Sequence, residues 1–392
     1  MRNTMFLLTL ILLAGVIFTG VVAAAENGEE PAVESQSEFL EHFSVTFRNL
    51  TYGTTQKPAD SVFNVDNEFE VARYTLASDF RPDVSMRYSR LEAMVKPRWD
   101  FSWERCEDGV CNGDEDSDEH AYINEWLVRV EPVDSLFLSY GREDLQWGPA
   151  YMLSPSNPFY SDNGSYNPKM EVPGADYARI VWSPNMQWAG SLIVNTDEGR
   201  KELWDDFHKT YALKLDHTAD RGYFSLILAK QESGDSHVGF FASWNVNDAF
   251  VAYTEESVRD DDLEALVGAT YTFGNGSTFA IEYFHNGAGD SSGDLLETIV
   301  DEQGLDDRLI LSRKNYLLLQ YYYREPLDRW NALLRGTFNL DDNSNALLGQ
   351  MEYNLTNHAQ LFANGTVFSG EDDDELGGLL DYRVMTGVEF SF

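Results

Sequence analysis

Cysteine is nearly absent from this chain. Only Cys106 and Cys111 occur among 392 residues, so a disulfide framework cannot carry the fold. The pair sits close together and is expected to close one small local disulfide in an exported protein, with free thiols as the other state. Long apolar runs are equally scarce. After residue 25 no stretch approaches the roughly 18 or more apolar residues of a membrane-crossing helix. The chain beyond that point crosses no membrane, or crosses as strands. Basic residues are few, 28 Lys and Arg against 66 Asp and Glu, for a formal net charge of −38. Such a field repels nucleic acid and anionic membrane surfaces and attracts divalent cations and basic partners. Short catalytic signatures are missing too: there is no HExxH, no nucleophile elbow and no phosphate-binding glycine loop. Of the seven histidines, His208 beside Asp205 and Asp206 comes nearest to a general base, and a solvated surface histidine accounts for it as well. The reading is of a protein that is not an enzyme.

What is abundant is alternation. In residues 378–392 one face reads Leu380, Tyr382, Val384, Thr386, Val388, Phe390, Phe392. The other reads Asp381, Arg383, Met385, Gly387, Glu389, Ser391. Period two with one apolar and one polar side marks a strand. A strand of this kind ending on Phe392 resembles the closing strand of Gram-negative outer-membrane barrels, whose terminal Phe belongs to their assembly signal. In that setting the apolar face meets lipid and the polar face a lumen. At the other end, Arg2, an apolar run from Met5 to Val22 and Ala23-Ala24-Ala25 form a secretory signal peptide over residues 1–25. Residues 26–41 read as a short acidic periplasmic lead-in, and residues 42–392 as the barrel. Aromatic residues are 14% of the chain, with 20 Tyr, 24 Phe and 9 Trp, the stock from which interfacial girdles are built. A mean hydropathy of −0.38 is compatible with lumen-facing polar residues.

Taken in order, strands are expected at residues 42–52, 67–77, 84–103, 121–131 and 135–142, with a turn at 78–83 around Pro82. Pro97 lacks a ladder donor and predicts a bulge. After an irregular stretch at 143–174, hairpins follow through Pro184, Asp220-Arg221, Asn247-Asp248, Gly274-Asn275-Gly276, Pro326 and Asn357, residues suited to tight turns. The count is about eighteen strands, with sixteen as the fallback, in an all-β, antiparallel, up-and-down transmembrane barrel. Numbered alternately, the connections sort: short turns in one set, long and acidic ones in the other. Bacterial barrels place the short set in the periplasm and the long set outside.

The same alternation assigns the lumen. Arg48, Lys96, Arg98, Arg129, Arg142, Arg179, Lys214, Arg335 and Arg383 point inward. So do Glu92, Asp100, Asp216, Glu264, Glu282, Glu352 and Glu389. They form either a mixed-charge wall that sorts solutes or an internal ion-pair network, since charges kept from lipid turn inward in both cases. Lys96, Arg98, Arg129 and Arg142 would then make a basic stripe.

Residues 141–174 are too long for a turn and too rich in Pro and Gly for a helix. Trp147, Tyr151, Phe159, Tyr160 and Tyr166 stand there beside Gln146, Asn157, Asp162, Asn163 and Asn167, a mixture that suits sugar rings. The stretch is read as a lumen constriction, an outer cap, or a self-packed loop with no ligand. Gly141-Arg142, Trp147-Gly148-Pro149, Leu153-Ser154, Asn157-Pro158 and Pro173-Gly174 together resemble the core of capsule-assembly (Wzi-type) outer-membrane proteins, with Ala150 where that pattern has Gly. The resemblance implies an eighteen-stranded barrel that binds surface polysaccharide, and Arg142 and Trp147 are its matching positions.

Asp114, Asp116 and Asp118 are spaced like the first ligands of a calcium loop, but Glu119 stands where an EF-hand needs Gly. At most they hold divalent cations loosely, and a solvated charged loop is the simpler reading. No other cofactor is implied. Two functions follow: attachment of surface polysaccharide through residues 141–174 and the acidic outer loops, or a porin-like channel for small polar or charged solutes. Outer-membrane lipid and lipopolysaccharide are the expected surroundings, with the cell outer membrane reached through the periplasm.

Overall fold

The structure is a computed structural model. It describes residues 42–392 except 63, 68–69, 107–114, 160–168, 202–206, 260–261, 290–310, 326 and 328. The expected signal peptide and lead-in, Cys111, Asp114 and Tyr160 therefore lie outside the described residues.

Eighteen strands form one closed sheet: β1 Phe43–Pro58, β2 Tyr74–Tyr88, β3 Leu91–Arg105, β4 Glu115–Val133, β5 Leu136–Glu143, β6 Ala175–Trp182, β7 Trp188–Asp197, β8 Thr210–Ala219, β9 Gly222–Gln231, β10 Ser236–Asn245, β11 Phe250–Arg259, β12 Asp262–Thr272, β13 Thr278–Asn286, β14 Asn315–Arg324, β15 Trp330–Asn339, β16 Asn345–Thr356, β17 Ala359–Ser369 and β18 Leu380–Ser391. Each pairs antiparallel with its chain neighbours, and β18 closes onto β1. Closure leaves no unpaired edge, which is the condition for a sheet in hydrocarbon.

The wall is built inside out relative to a soluble protein. Leu213 of β8 faces Leu228 of β9 in the ladder, and these side chains are 52% and 46% exposed on the outer surface. Their neighbours Ala212, Lys214 and Ile227 point inward and are buried. A continuous exposed apolar belt is stable only against lipid. In β18 the register follows the alternation. Tyr382 lies opposite Lys57 and Val367, and Val367 is 54% exposed, so the Tyr382 position faces outward. Arg383 and Glu389 fall on the other face with the buried Met385.

Most strands match the alternation, and the differences cluster in β1–β4 and β11. β1 runs on to Pro58 past the expected 52, the strand expected at 67–77 begins only at Tyr74, and the stretch expected as one strand at 84–103 is divided between β2 and β3. Residues 78–83 are not a turn: β2 runs through them, and the turn falls at Ser89 (φ 54°) and Arg90. Asp79, Arg81 and Asp83 mimic a turn locally, yet alternate with Ser78, Phe80 and Pro82 to form a charged inner face. Asp79 and Arg81 pair there at 2.7 Å. Residues 115–120 belong to β4, not to a loop, so the acidic run is a hairpin arm extending beyond its expected start. β11 runs past the expected end of its strand at Glu255 and continues to Arg259, so much of the acidic outer loop expected at 255–262 is strand. The bulge expected at Pro97 is present, between Lys96 and Pro97. Its extra residue is Asn124 on the partner strand, and both Asn124 and Glu125 turn inward to reach Glu171 and Lys96. Cys106 is disulfide-bonded.

Candidate functional site: a loop folded into the barrel

Near the end of β5, before its connection to β6, stands Gly141, whose φ of 157° would place a Cβ 2.1 Å from the Trp126 carbonyl oxygen. Only glycine fits this close approach. From there the described part of the segment enters the barrel and docks on two carboxylates near the middle of their strands. Glu255 of β11 accepts from the Ala150 amide (3.3 Å), Ser154 Oγ (2.9 Å) and Ser156 Oγ (3.0 Å). Glu282 of β13 accepts from the Tyr151 amide (2.6 Å), the Met152 amide (2.9 Å) and Tyr253 Oη (2.8 Å). Each bond to a charged acceptor contributes about 1.5–3 kcal/mol.

Apolar contact completes the docking. Ala150 and Met152 pack on inward Tyr253, Leu266, Phe284, Tyr316 and Leu318. Trp147 and Phe159 pack on Tyr177, Ile193 and Ala212. Burying one such side chain contributes roughly 1.5–3 kcal/mol. Gly148 sits where the backbone presses on Glu255: its φ is 90°, and a Cβ there would lie 1.9 Å from the carboxylate. Gly148→Ala is therefore expected to lift the loop from Glu255, at about 1–2 kcal/mol for the backbone alone. Faster proteolytic nicking within residues 144–159 of the otherwise intact barrel checks this.

The far end of the connection is strapped by charge to β16–β18 and to β1 and β3. Lys169 reaches Glu352 of β16 (2.7 Å), Glu389 of β18 (3.2 Å) and Gln360 of β17 (2.8 Å). Two residues on, Glu171 meets Arg98 Nε (2.6 Å) and Nη2 (2.9 Å) and Arg48 (3.3 Å). Arg81 donates to the Lys169 carbonyl at 3.3 Å. Burial alone would push the Glu171 carboxyl up. The Arg98 hydrogen bonds and the charges of Arg81, Arg98 and Arg48 outweigh it and hold the group below the usual carboxylate range.

The register places Arg48, Lys96, Arg98, Asp100, Arg129, Arg179, Glu264, Glu282, Arg335, Glu352, Arg383 and Glu389 on the inner face. Many are paired: Lys96 with Glu125 (2.7 Å), Arg129 with Glu92 (3.1 Å), Arg179 with Glu143 (3.0 Å), Lys214 with Asp216, and Arg335 with Gln320. Asp100 accepts from Tyr122 Oη at 2.5 Å. Arg142 is the exception. It lies opposite Trp126 and Asp176 on the outward register and is ion-paired to Asp176 at 2.7 Å. Its alternation runs with Leu138 and Tyr140, which face out, so the basic stripe lacks its fourth member.

Among the ligand candidates, Trp147 meets Phe159 edge to face at 6.0 Å and Lys214 at 5.5 Å. Asn157 is buried and bridges the Leu145 carbonyl and the Phe159 amide. Tyr151 packs beside Met152. Asp116 and Asp118 lie on β4, where Asp118 pairs with His120 at 2.7 Å. Among the described residues no group of three or more His, Cys, Asp or Glu is arranged to hold a metal. Sequence reasoning missed Glu255, Glu171, Lys169, Ser154 and Ser156. Their one signal was the presence of apolar residues at inward positions such as Leu266, Phe284 and Leu318, which need a cover.

A second loop is held to the wall through a buried carboxylate. Glu375, between β17 and β18, accepts from the Ser312 amide (2.5 Å), Tyr316 Oη (2.6 Å) and Asn339 Nδ2 (2.8 Å). Burial, against those hydrogen bonds, pushes its carboxyl up to about 7 from an ordinary 4.5. The docked state thus holds a proton that the undocked state releases between these values. Docking is strongest below the ordinary value and weakens as pH rises toward 7. Hydrogen exchange over residues 370–379 is expected to quicken from pH 5 to pH 8 beyond the intrinsic trend, and Glu375→Gln should abolish the excess.

No protein-family model and no curated protein matches the chain. Solved structures do. OccK5 of Pseudomonas aeruginosa superposes with a TM-score of 0.59 at 11% identity, over 90% of this chain and 99% of that one. OccAB3 of Acinetobacter baumannii gives 0.59 at 10%, over 90% and 99%. OccK11 of Pseudomonas aeruginosa gives 0.59 at 12%, over 90% and 97%. These neighbours are Gram-negative outer-membrane porins. At such identity the likeness concerns fold, and it agrees with the apolar outer belt. The chain is a multi-pass outer-membrane β-barrel of eighteen antiparallel strands, with the fold of these porins.

Proposed function

We propose that the protein is a porin-like passive channel for small polar solutes, with residues 144–159 and 169–174 setting its width and no catalytic role. The observation that carries this is the docking of that segment on Glu255 and Glu282 inside the barrel. A loop fixed at mid-wall narrows a lumen, and the inner wall it leaves is lined by paired charges suited to water and polar solutes. The porin fold supports the same reading. Attachment of surface polysaccharide gains no support: the rings of Trp147 and Phe159 are taken up by contacts with the wall.

Charge gives the channel a preference. The chain carries −38 overall, and several of the lumen cations have a carboxylate partner. Cations are therefore concentrated at the mouth and favoured over anions. Swelling of liposomes containing the purified protein in isosmotic solutions of small neutral sugars tests the channel reading. Swelling that slows with sugar size is expected, and none above protein-free liposomes would reject it.

A further inference from the structure

The outer wall over β1–β4 carries an apolar groove of about 500 Å³, within the roughly 300–1,000 Å³ of ligand clefts. Ladder pairs place its lining on the lipid side: Phe43 opposite Met86, Met86 opposite Ala93, Ala93 opposite Val128, and Val95 opposite Val84 and Trp126. Ala93 is the short side chain between Met86 and Val128, and it forms the floor. Trp126, held edge to face against Tyr140 at 5.4 Å, forms one bank. Above it the bulge at Pro97 shifts the strand register.

The lower end of the groove reaches the short-turn rim. Ala93 stands three residues above Arg90 in the β2–β3 turn, a rise of about 10 Å. Arg90 forms an exposed ion pair with Asp134 of the β4–β5 turn at 2.6 Å. Tyr88, exposed at the same rim, meets His42 edge to face at 5.0 Å. Thus an apolar trough at hydrocarbon depth ends on an aromatic ring and two opposite charges at headgroup depth.

We propose that this groove seats one acyl chain of an inner-leaflet phospholipid with a zwitterionic amine headgroup, its phosphate on Arg90 and its ammonium on Asp134. The occupant follows from position and charge. Lipopolysaccharide belongs to the opposite leaflet, and a zwitterionic headgroup offers an opposite charge to each member of the Arg90–Asp134 pair, where a singly charged one meets only one of them. The test is native mass spectrometry of the full barrel from mild detergent, after equilibration with equimolar phosphatidylethanolamine and phosphatidylglycerol. One phosphatidylethanolamine per barrel is expected. Ala93→Trp, which fills the groove on a lipid-facing position, should lower its retention about tenfold. The variant's single-channel conductance should stay that of the parent, showing an intact barrel. Asp134→Lys should shift the bound lipid toward phosphatidylglycerol. Equal retention in the parent and in Ala93→Trp overturns the proposal. So does a second copy of the chain, in place of lipid, that Ala93→Trp dislodges.

Discussion

Replacing Glu255 and Glu282 together by alanine is expected to raise single-channel conductance by roughly twofold or more, because conduction follows the width of the constriction. The two carboxylates hold three backbone amides and two serine hydroxyls of the β5–β6 connection. Removing them leaves the three amides and the Ser156 hydroxyl without these partners against the wall, at about 1–3 kcal/mol each, while Ser154 keeps the Trp147 carbonyl at 2.8 Å. Water in the lumen satisfies them only if the segment lifts away. The eighteen-strand ladder does not depend on either carboxylate, so the heat-modifiable gel mobility of the folded barrel should persist. Glu282→Gln alone should give an intermediate effect, since an amide keeps one acceptor oxygen and turns a donor toward the Tyr151 and Met152 amides. Unchanged conductance in the double variant would mean that the loop does not limit the path.

The second large effect is expected at Arg98, only 1% exposed. Its guanidinium holds Glu171 through two bonds, Asp83 at 2.9 Å, and the carbonyls of Pro82 and Pro97. Arg98→Met leaves Asp83 and Glu171 to share Arg48 alone, at 3.0 and 3.3 Å, and losing one side of such a partly buried network costs up to about 3–5 kcal/mol. The barrel's urea midpoint should fall accordingly. Adding Glu171→Gln should recover part of the loss by leaving Arg48 one carboxylate to neutralise instead of two. If Arg98→Met and Glu171→Gln act additively, the strap between loop and wall does not exist. The strap also has a pH signature. Because Glu171 is held below the ordinary carboxylate range, its contribution is full above that range and is lost as pH falls through the lowered value. That is opposite in sign to the Glu375 contact.

The barrel was legible because a lipid-facing strand must alternate and a closed sheet must sort its connections. Tyr382 and Arg383 illustrate this: one residue of register separates them, and the apolar neighbours of Tyr382 decide the side. Residues 78–83 were illegible for the complementary reason. An inner face of Asp79, Arg81 and Asp83 has the composition of a turn, and only its pairing with β1 and β3 reveals a strand. The alternation that is read as turning Arg142 inward runs the other way on β5, where Tyr140 faces out opposite Val128 and Arg142 follows it two residues on. The docking of the loop was out of reach. Alternation turns Glu255 inward with Tyr253 and Ser257, and Glu256 outward with Val258, but nothing on β11 marks Glu255 as an anchor. Its donors come from residues about a hundred positions away.

The central claim is tested most directly by recording the purified protein in a planar lipid bilayer with a salt gradient across it. The account predicts discrete conductance steps that scale with salt, and a reversal potential of the sign expected for cations. A silent bilayer at protein levels that give folded, inserted barrels would contradict it.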